Sequence, residues 1–341
     1  MIDHLDVLII GAGISGIGAA CHLKNRQPQR SFAILEGREA IGGTWDLFRY
    51  PGIRSDSDLQ TFGYAFKPWT NERAIADAGS ILAYLRETVA ENDIEPHIRF
   101  GHRVIRAEWS SEDACWQVDA VITATGEEVH LTASWLFSAA GYYRYDEGYT
   151  PDFPAAERFS GTIVHPQHWP EELDYTGKRV VVIGSGLNMQ AFGGAELIVD
   201  GVAVDTAETV AYKSFMLSDV PNFSFVFGYT NSSWTLKVDL VCEHLCRLFD
   251  ELEAGGYDHC VPVDEDPANE TSPFIGLSSG YISRGIDRFP RQGSLPAWQV
   301  TMNYEADVAT LGEGPVADPG LRFGRTRPTA TRPAGALTLL S

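Results

Sequence analysis

DVLIIGAGISGIGAACHLKN, residues 6–25, places three glycines where an apolar run gives way to a helix rich in small side chains. Val7 to Ile10 read as a buried strand, and the residues after Gly16 as a helix packed close to it. Each glycine in Gly11-x-Gly13-x-x-Gly16 then plays a separate part. Gly11 allows the tight turn, Gly13 lets the backbone approach a pyrophosphate, and Gly16 lets the helix pack closely. The N-terminus of that helix favours the phosphate charge. SFAILEG, residues 31–37, supplies a second strand ending in Glu36, which follows Gly16 by 20 residues. A carboxylate at that place accepts hydrogen bonds from an adenosine ribose and repels an additional 2′-phosphate. An empty βαβ turn is the plainer alternative. The fold expected is α/β, built on a Rossmann-like dinucleotide-binding domain.

Bulk properties bound the rest. At 341 residues and 44% apolar content the chain can bury a substantial core. Its net charge of −20 argues against a nucleic-acid partner, because phosphate contacts need clustered Lys and Arg. No stretch reaches the length of a membrane span, and the N-terminus lacks the pattern of a signal peptide, so a cytoplasmic protein is expected. Cys21, Cys115, Cys242, Cys246 and Cys260 are too scattered for a disulfide framework. A metal reading of Cys242, His244, Cys246, His259 and Cys260 competes with a simpler one, in which Cys242 and Cys246 pack on one face of a helix. Oligomeric state cannot be read from the sequence.

Farther along, residues 77–92 have helical spacing at Ile81, Leu82, Leu85 and Val89, and residues 97–141 read as a β-meander leading into a buried strand. Residues 142–175 are rich in Tyr, Pro and Trp with little periodicity, as in a packed connection. Asp200-Gly201 separates two apolar runs as in a tight hairpin. Residues 233–256 form the clearest later helix, with Val238, Val241, Leu245, Leu248 and Leu252 on one stripe and Gly255-Gly256 as the stop. Past Val316 the Pro-, Arg- and Thr-rich sequence reads as a mobile tail.

EGREAIGGTWDLFRYPGIRSDSD, residues 36–58, resembles the two-dinucleotide flavoprotein monooxygenases, in which FAD takes the N-terminal site and a Gly-Gly-Thr-Trp segment approaches the flavin. The resemblance implies FAD contacts from Gly11, Gly13, Ser15, Gly16, Glu36, Gly43, Thr44, Trp45, Asp46 and Asp56, and from the backbone of Val104. FSGTIVHPQHWP, residues 159–170, fits F-x-G-x-x-x-H-x-x-x-W-P at Phe159, Gly161, His165, Trp169 and Pro170. That is similar to the fingerprint of Baeyer-Villiger monooxygenases, which use NADPH and O2 to oxygenate ketones or sulfur compounds. By itself His165 among aromatics reads as a structural hydrogen-bonder; in the family the motif links two nucleotide domains. Asp56 and Asn231 are the candidate catalytic residues, and Thr230 and Trp234 join Asn231 as candidates for the substrate side of the flavin.

GKRVVVIGSGLNMQAFGG, residues 177–194, begins like a second dinucleotide site, with an expected strand over Arg179–Ile183 and a turn at Gly184, Ser185 and Gly186. The continuation is a Gly-Gly break and a hairpin, with no βαβ closure. The resemblance therefore implies a remnant of the NADPH domain, joined at Gly186 to the segment that returns to the FAD domain, with a loss on the order of 100 residues or more. The expected organisation is residues 1–141 for the first part of the FAD domain and 142–186 for the fingerprint linker and remnant turn. Residues 187–316 would complete the FAD domain and carry the C-terminal helices, with 317–341 as a disordered tail. Three functions stay open: an FAD- and NADPH-dependent monooxygenase, an FAD-binding remnant with little turnover, or a flavoprotein reduced by a separate partner protein.

Overall fold

The computed structural model describes residues 3–57, 61–70, 75–184, 186–276 and 279–326. β1 (Asp3–Ile10) runs parallel to β2 (Phe32–Leu35), and α1 (Ile14–Arg26) crosses between them. Val7, Leu8 and Ile9 lose all solvent contact, as a strand covered on both faces should. A single turn, α2 (Thr44–Leu47), follows β2, and α3 (Ala78–Glu91) begins where Asp77 accepts a hydrogen bond from the Ser80 backbone N–H at 2.9 Å. The short β3 (Ile98–Arg99) extends the sheet beyond β2.

The expected meander is present as β4 (His102–Ser110), β5 (Cys115–Ile122) and β6 (Glu128–Ser138), antiparallel throughout. It does not stand apart, because β6 also pairs in parallel with β1, and one sheet runs β3-β2-β1-β6-β5-β4. β7 (Glu196–Val199) joins β4 in parallel and turns back through Asp200-Gly201 into β8 (Val202–Ala203), the hairpin read from the sequence. After the small hairpin of β9 (Ala211–Tyr212) and β10 (Met216–Leu217), β11 (Phe223–Phe225) pairs with the last residues of β6. The segment after Gly186 thus completes the sheet begun at the N-terminus.

α4 (Trp234–Gly255) packs on α1, with Val238, Val241, Leu245, Leu248 and Leu252 all buried, and ends at Gly256 with φ of +63°. Asp239 on α4 accepts from the His22 imidazole at 2.7 Å and from the Ala65 N–H at 2.7 Å, binding three segments together. Cys242 and Cys246 are buried in this core, and His244 hydrogen-bonds the Leu311 carbonyl. Among the described residues no group of three or more His, Cys, Asp or Glu could hold a metal ion, and no helix is long and apolar enough to cross a membrane.

Toward the C-terminus lie β12 (His259–Pro262), β13 (Thr271–Pro273), α5 (Gly280–Gly285), β14 (Arg291–Gly293), α6 (Tyr304–Asp307) and β15 (Leu321–Gly324). β15 pairs antiparallel with β12, which corrects the expectation of a disordered tail from 317: ladder hydrogen bonds hold the chain through Gly324, and Thr326 N–H still donates to Asp258. The rest of that tail, 327–341, lies outside the described residues.

The expected strand over Arg179–Ile183 is also corrected. No ladder forms there, and Val180, Val181, Val182 and Ile183 are 58%, 81%, 83% and 62% exposed. A strand needs neighbours to satisfy its N–H and C=O groups, and the chain beyond it supplies none.

One buried ion pair fixes the C-terminal layer. Lys237 on α4 meets Asp307 on α6 at 2.6 Å, and Tyr229 and Thr301 also donate to the Asp307 carboxylate. Burial pushes the Lys237 pKa down, while Asp307 opposes the shift. Removing one partner leaves the other charge unpaired in a dry site. Lys237→Met should lower stability by about 3 kcal/mol, to be checked by urea unfolding, with Lys237→Met/Asp307→Leu recovering a large part of the loss.

Candidate functional site

The site forms where β1 stops. Gly11 adopts φ of +100°, and a Cβ there would meet the Ala139 carbonyl oxygen at 2.7 Å; one on Gly16 would strike the Gly11 carbonyl. Both positions therefore require glycine. Helix α1 starts at Gly13 with no side-chain cap and no acidic residue in its first turn. Its leading N–H groups are met by no capping side chain, an arrangement able to receive an anion.

Glu36 closes one side of this turn. Its carboxylate accepts from the Ala12 N–H at 2.7 Å and the Arg38 N–H at 2.9 Å. Burial raises its pKa, and those two N–H groups act against the rise. Opposite, Gly42 N–H donates to the Ala12 carbonyl at 2.9 Å, and a Cβ on Gly43 would stand 3.2 Å from the Gly13 Cα. The Gly-Gly-Thr-Trp segment is thus seated directly on the glycine turn. Asp46 is buried and paired with Arg38 at 2.5 Å, which places a guanidinium beside the Glu36 strand end. Trp45 packs edge-on to Phe62. Val104 is buried beside a β-bulge that interrupts the ladder between Val104 and Arg106. The residues expected around FAD from Gly11 to Asp46 come together in this way, whereas Asp56 and Asn231 lie exposed in separate loops.

Two aromatic residues sit closer to this groove than the sequence implied. Tyr145 is half-buried with its hydroxyl 3.5 Å from Thr44 Oγ1, and desolvation pushes its pKa up to about 12. Trp234, expected on the substrate side, donates its indole N–H to Ser15 Oγ at 2.8 Å, in the first turn of α1. No periodicity marks Tyr145 within its irregular segment. The place of Trp234 depends on a contact between residues more than 200 positions apart.

The fingerprint segment is linked to this site through the side chain of Gln167. His165 Nδ1 accepts from the Gln167 N–H at 3.2 Å, so Nε2 carries the proton and donates to the Tyr149 carbonyl at 3.3 Å. With both nitrogens engaged, the ring serves as a brace. It fits between Gly148 and Gly186, where an added Cβ would collide with it. Gly186, expected in a phosphate turn, instead supports the fingerprint histidine; Gly184 is exposed and Ser185 lies outside the described residues. Gln167 donates to the Tyr145 carbonyl at 2.6 Å, and Glu171 pairs with Arg49 at 2.5 Å. Phe159, Gly161 and Pro170 are exposed, and Trp169 packs edge-on to Tyr175.

A glycine turn at a bare helix end, a buried carboxylate ending the second strand and a second glycine segment seated on the turn define a dinucleotide-binding α/β protein. Residues 9–74 match the NAD(P)-binding Rossmann-like domain, and residues 68–212 match the flavin-binding monooxygenase-like family. The FAD-containing monooxygenase EthA of Mycobacterium tuberculosis is 34% identical over 484 aligned positions, covering 95% of this chain and 99% of its own. The probable FAD-binding monooxygenase AlmA of Acinetobacter baylyi is 31% identical over 491, covering 97% and 98%. The chain belongs to this family of flavin-dependent monooxygenases. Alignments of that length over 341 residues leave a large share of aligned positions with no residue of this chain opposite. The solved structure of OTEMO with FAD and NADP has the same fold, with a TM-score of 0.67 at 15% identity over 95% of this chain and 100% of that one. Against an oxidised steroid monooxygenase bound to NADP, the chain spans only 33% of the other's length, with a TM-score of 0.44.

The brace makes a steric prediction. Gly186→Ala places a side chain at φ of +64° and against the imidazole, and should cost roughly 1–2 kcal/mol in backbone strain alone. Thermal unfolding should show Gly186→Ala/His165→Ala regaining the steric part of the loss, an interaction absent when His165→Ala is combined with a substitution at the distant Gly126.

Proposed function

We propose that this chain is a monooxygenase of Baeyer-Villiger type that uses FAD, NADPH and O2 to oxygenate ketones or sulfur compounds. The observation that carries the reading is the fingerprint from Phe159 to Pro170, joined to the dinucleotide groove through Gln167 and Tyr145. Bound FAD would supply the redox chemistry between nicotinamide and oxygen. This chain's own residues hold and orient it. The α1 N-terminus and Ser15 face the pyrophosphate, Glu36 takes the ribose hydroxyls, and Thr44 and Trp45 lie toward the flavin. The buried, hydrogen-bonded setting of Glu36 fits that role, since a ribose hydroxyl would give the carboxylate a further donor. Asp56 and Asn231 are the candidate catalytic residues, and Thr230, Asn231 and Trp234 the candidates for the substrate side of the flavin. The organisation that accompanies this reading is an FAD domain formed by residues 1–141 and 187–316, with 142–186 as linker and remnant turn.

A second reading rests on the bare segment Val180–Ile183. Without a second mononucleotide fold, NADPH would lack a dedicated site, and the protein would bind FAD with little turnover. One experiment separates the two. Purified protein loaded with FAD is given NADPH and a cyclic ketone, with coenzyme consumption followed at 340 nm and lactone by chromatography. Lactone formed in proportion to NADPH supports the first reading. A flavin spectrum with neither consumption nor calorimetric NADPH binding leaves the second, and failure to retain FAD at all defeats both.

A further inference from the structure

Ser15 lies on the first turn of α1, 6% exposed, where a bound pyrophosphate would meet the helix end. Its hydroxyl has one donor hydrogen and two acceptor lone pairs, and it can equally well turn toward a carbonyl or toward an anion. The indole N–H of Trp234 takes one of the acceptor positions. An indole can only donate, so at 2.8 Å Ser15 Oγ must be the acceptor, and its own hydrogen remains available. Among the described residues Ser15 Oγ makes no other hydrogen bond. We infer that Trp234 is a positioning residue for the dinucleotide: by donating to Ser15 Oγ it commits the Ser15 hydroxyl to donate to the pyrophosphate.

The setting of Trp234 suits that role. Its ring stacks on Tyr142 with centroids 5.5 Å apart and an interplanar angle of 22°, and it packs against Phe227. Gly228 lies so close to the indole that any Cβ there would strike it. Held from three sides, the N–H has little freedom to point elsewhere. A hydroxyl that already accepts a hydrogen bond is also a stronger donor, which adds to its attraction for a charged phosphate oxygen. The arrangement closes a circuit across the fold, since α4 is contributed by the late part of the chain and the glycine turn by the earliest part.

This inference rests on FAD as the ligand of the N-terminal turn, and the test keeps the two apart. FAD dissociation constants are measured by flavin fluorescence for the wild-type chain, Trp234→Phe, Ser15→Ala and the double variant. Phenylalanine keeps a ring on Tyr142 but removes the N–H. Trp234→Phe should weaken FAD about tenfold and Ser15→Ala by a similar factor, with the double variant no weaker than Ser15→Ala alone. A merely structural tryptophan would lower the melting temperature without this non-additivity. Wild-type affinity in Trp234→Phe, or losses that multiply in the double variant, would overturn the inference. If the unaltered chain does not bind FAD, the reading of the turn itself fails. In protein with 15N-labelled indole, the Trp234 N–H resonance should shift when FAD is added to the wild-type chain and should show a smaller shift in Ser15→Ala; an unmoved resonance on binding counts against the inference.

Discussion

The structure depends on a patch of backbone too crowded for any side chain. Gly11 lies against the Ala139 carbonyl at the end of β6, and Gly16 lies on the Gly11 carbonyl. That contact brings the start of α1 up to the C-terminal edges of β1 and β6, where ligands of open α/β sheets bind. From there the assembly spreads outward: α1 provides the surface for α4, and β6 passes from β5 to β11 along its length. An early strand thereby becomes the template for segments that appear nearly a hundred residues later.

Much of the fold was legible because its signals are local. The glycine turn, the second strand ending at Glu36, the Asp200-Gly201 hairpin and the stripe on α4 each satisfy rules that involve only neighbouring residues. Less visible was that meander and βαβ unit share one sheet, because that depends on β1 and β6 pairing across more than 100 residues. The strand expected at Arg179–Ile183 illustrates the opposite error. Four consecutive branched aliphatic residues have strong strand propensity, but propensity cannot supply the flanking strands and covering helices that such a run requires. β15 was missed for a related reason, since its Leu-Arg-Phe-Gly sequence gains strand character only from β12 beside it.

The site divides along the same line. Residues whose role is to yield space or offer backbone, such as Gly11, Gly13 and Gly43, can be recognised from spacing. Residues that arrive from distant segments cannot. Tyr145 reaches Thr44 only because the connection after β6 folds back over the groove, and Trp234 reaches Ser15 only because α4 lies on α1. His165 was legible as a structural residue, yet its support by Gly148 and Gly186 was not, because a glycine that leaves room for a neighbour's ring looks no different from one that forms a turn.

The bare aliphatic quartet from Val180 to Ile183 bears on how copies of this protein behave toward one another. Unpaired backbone beside exposed branched side chains invites association between molecules. A charge of −20 on every copy opposes close approach, and that repulsion reaches only about 8 Å at physiological ionic strength. Colloidal behaviour is therefore a balance between a sticky segment and a short-reaching charge shield, and dissolved salt weakens only the shield.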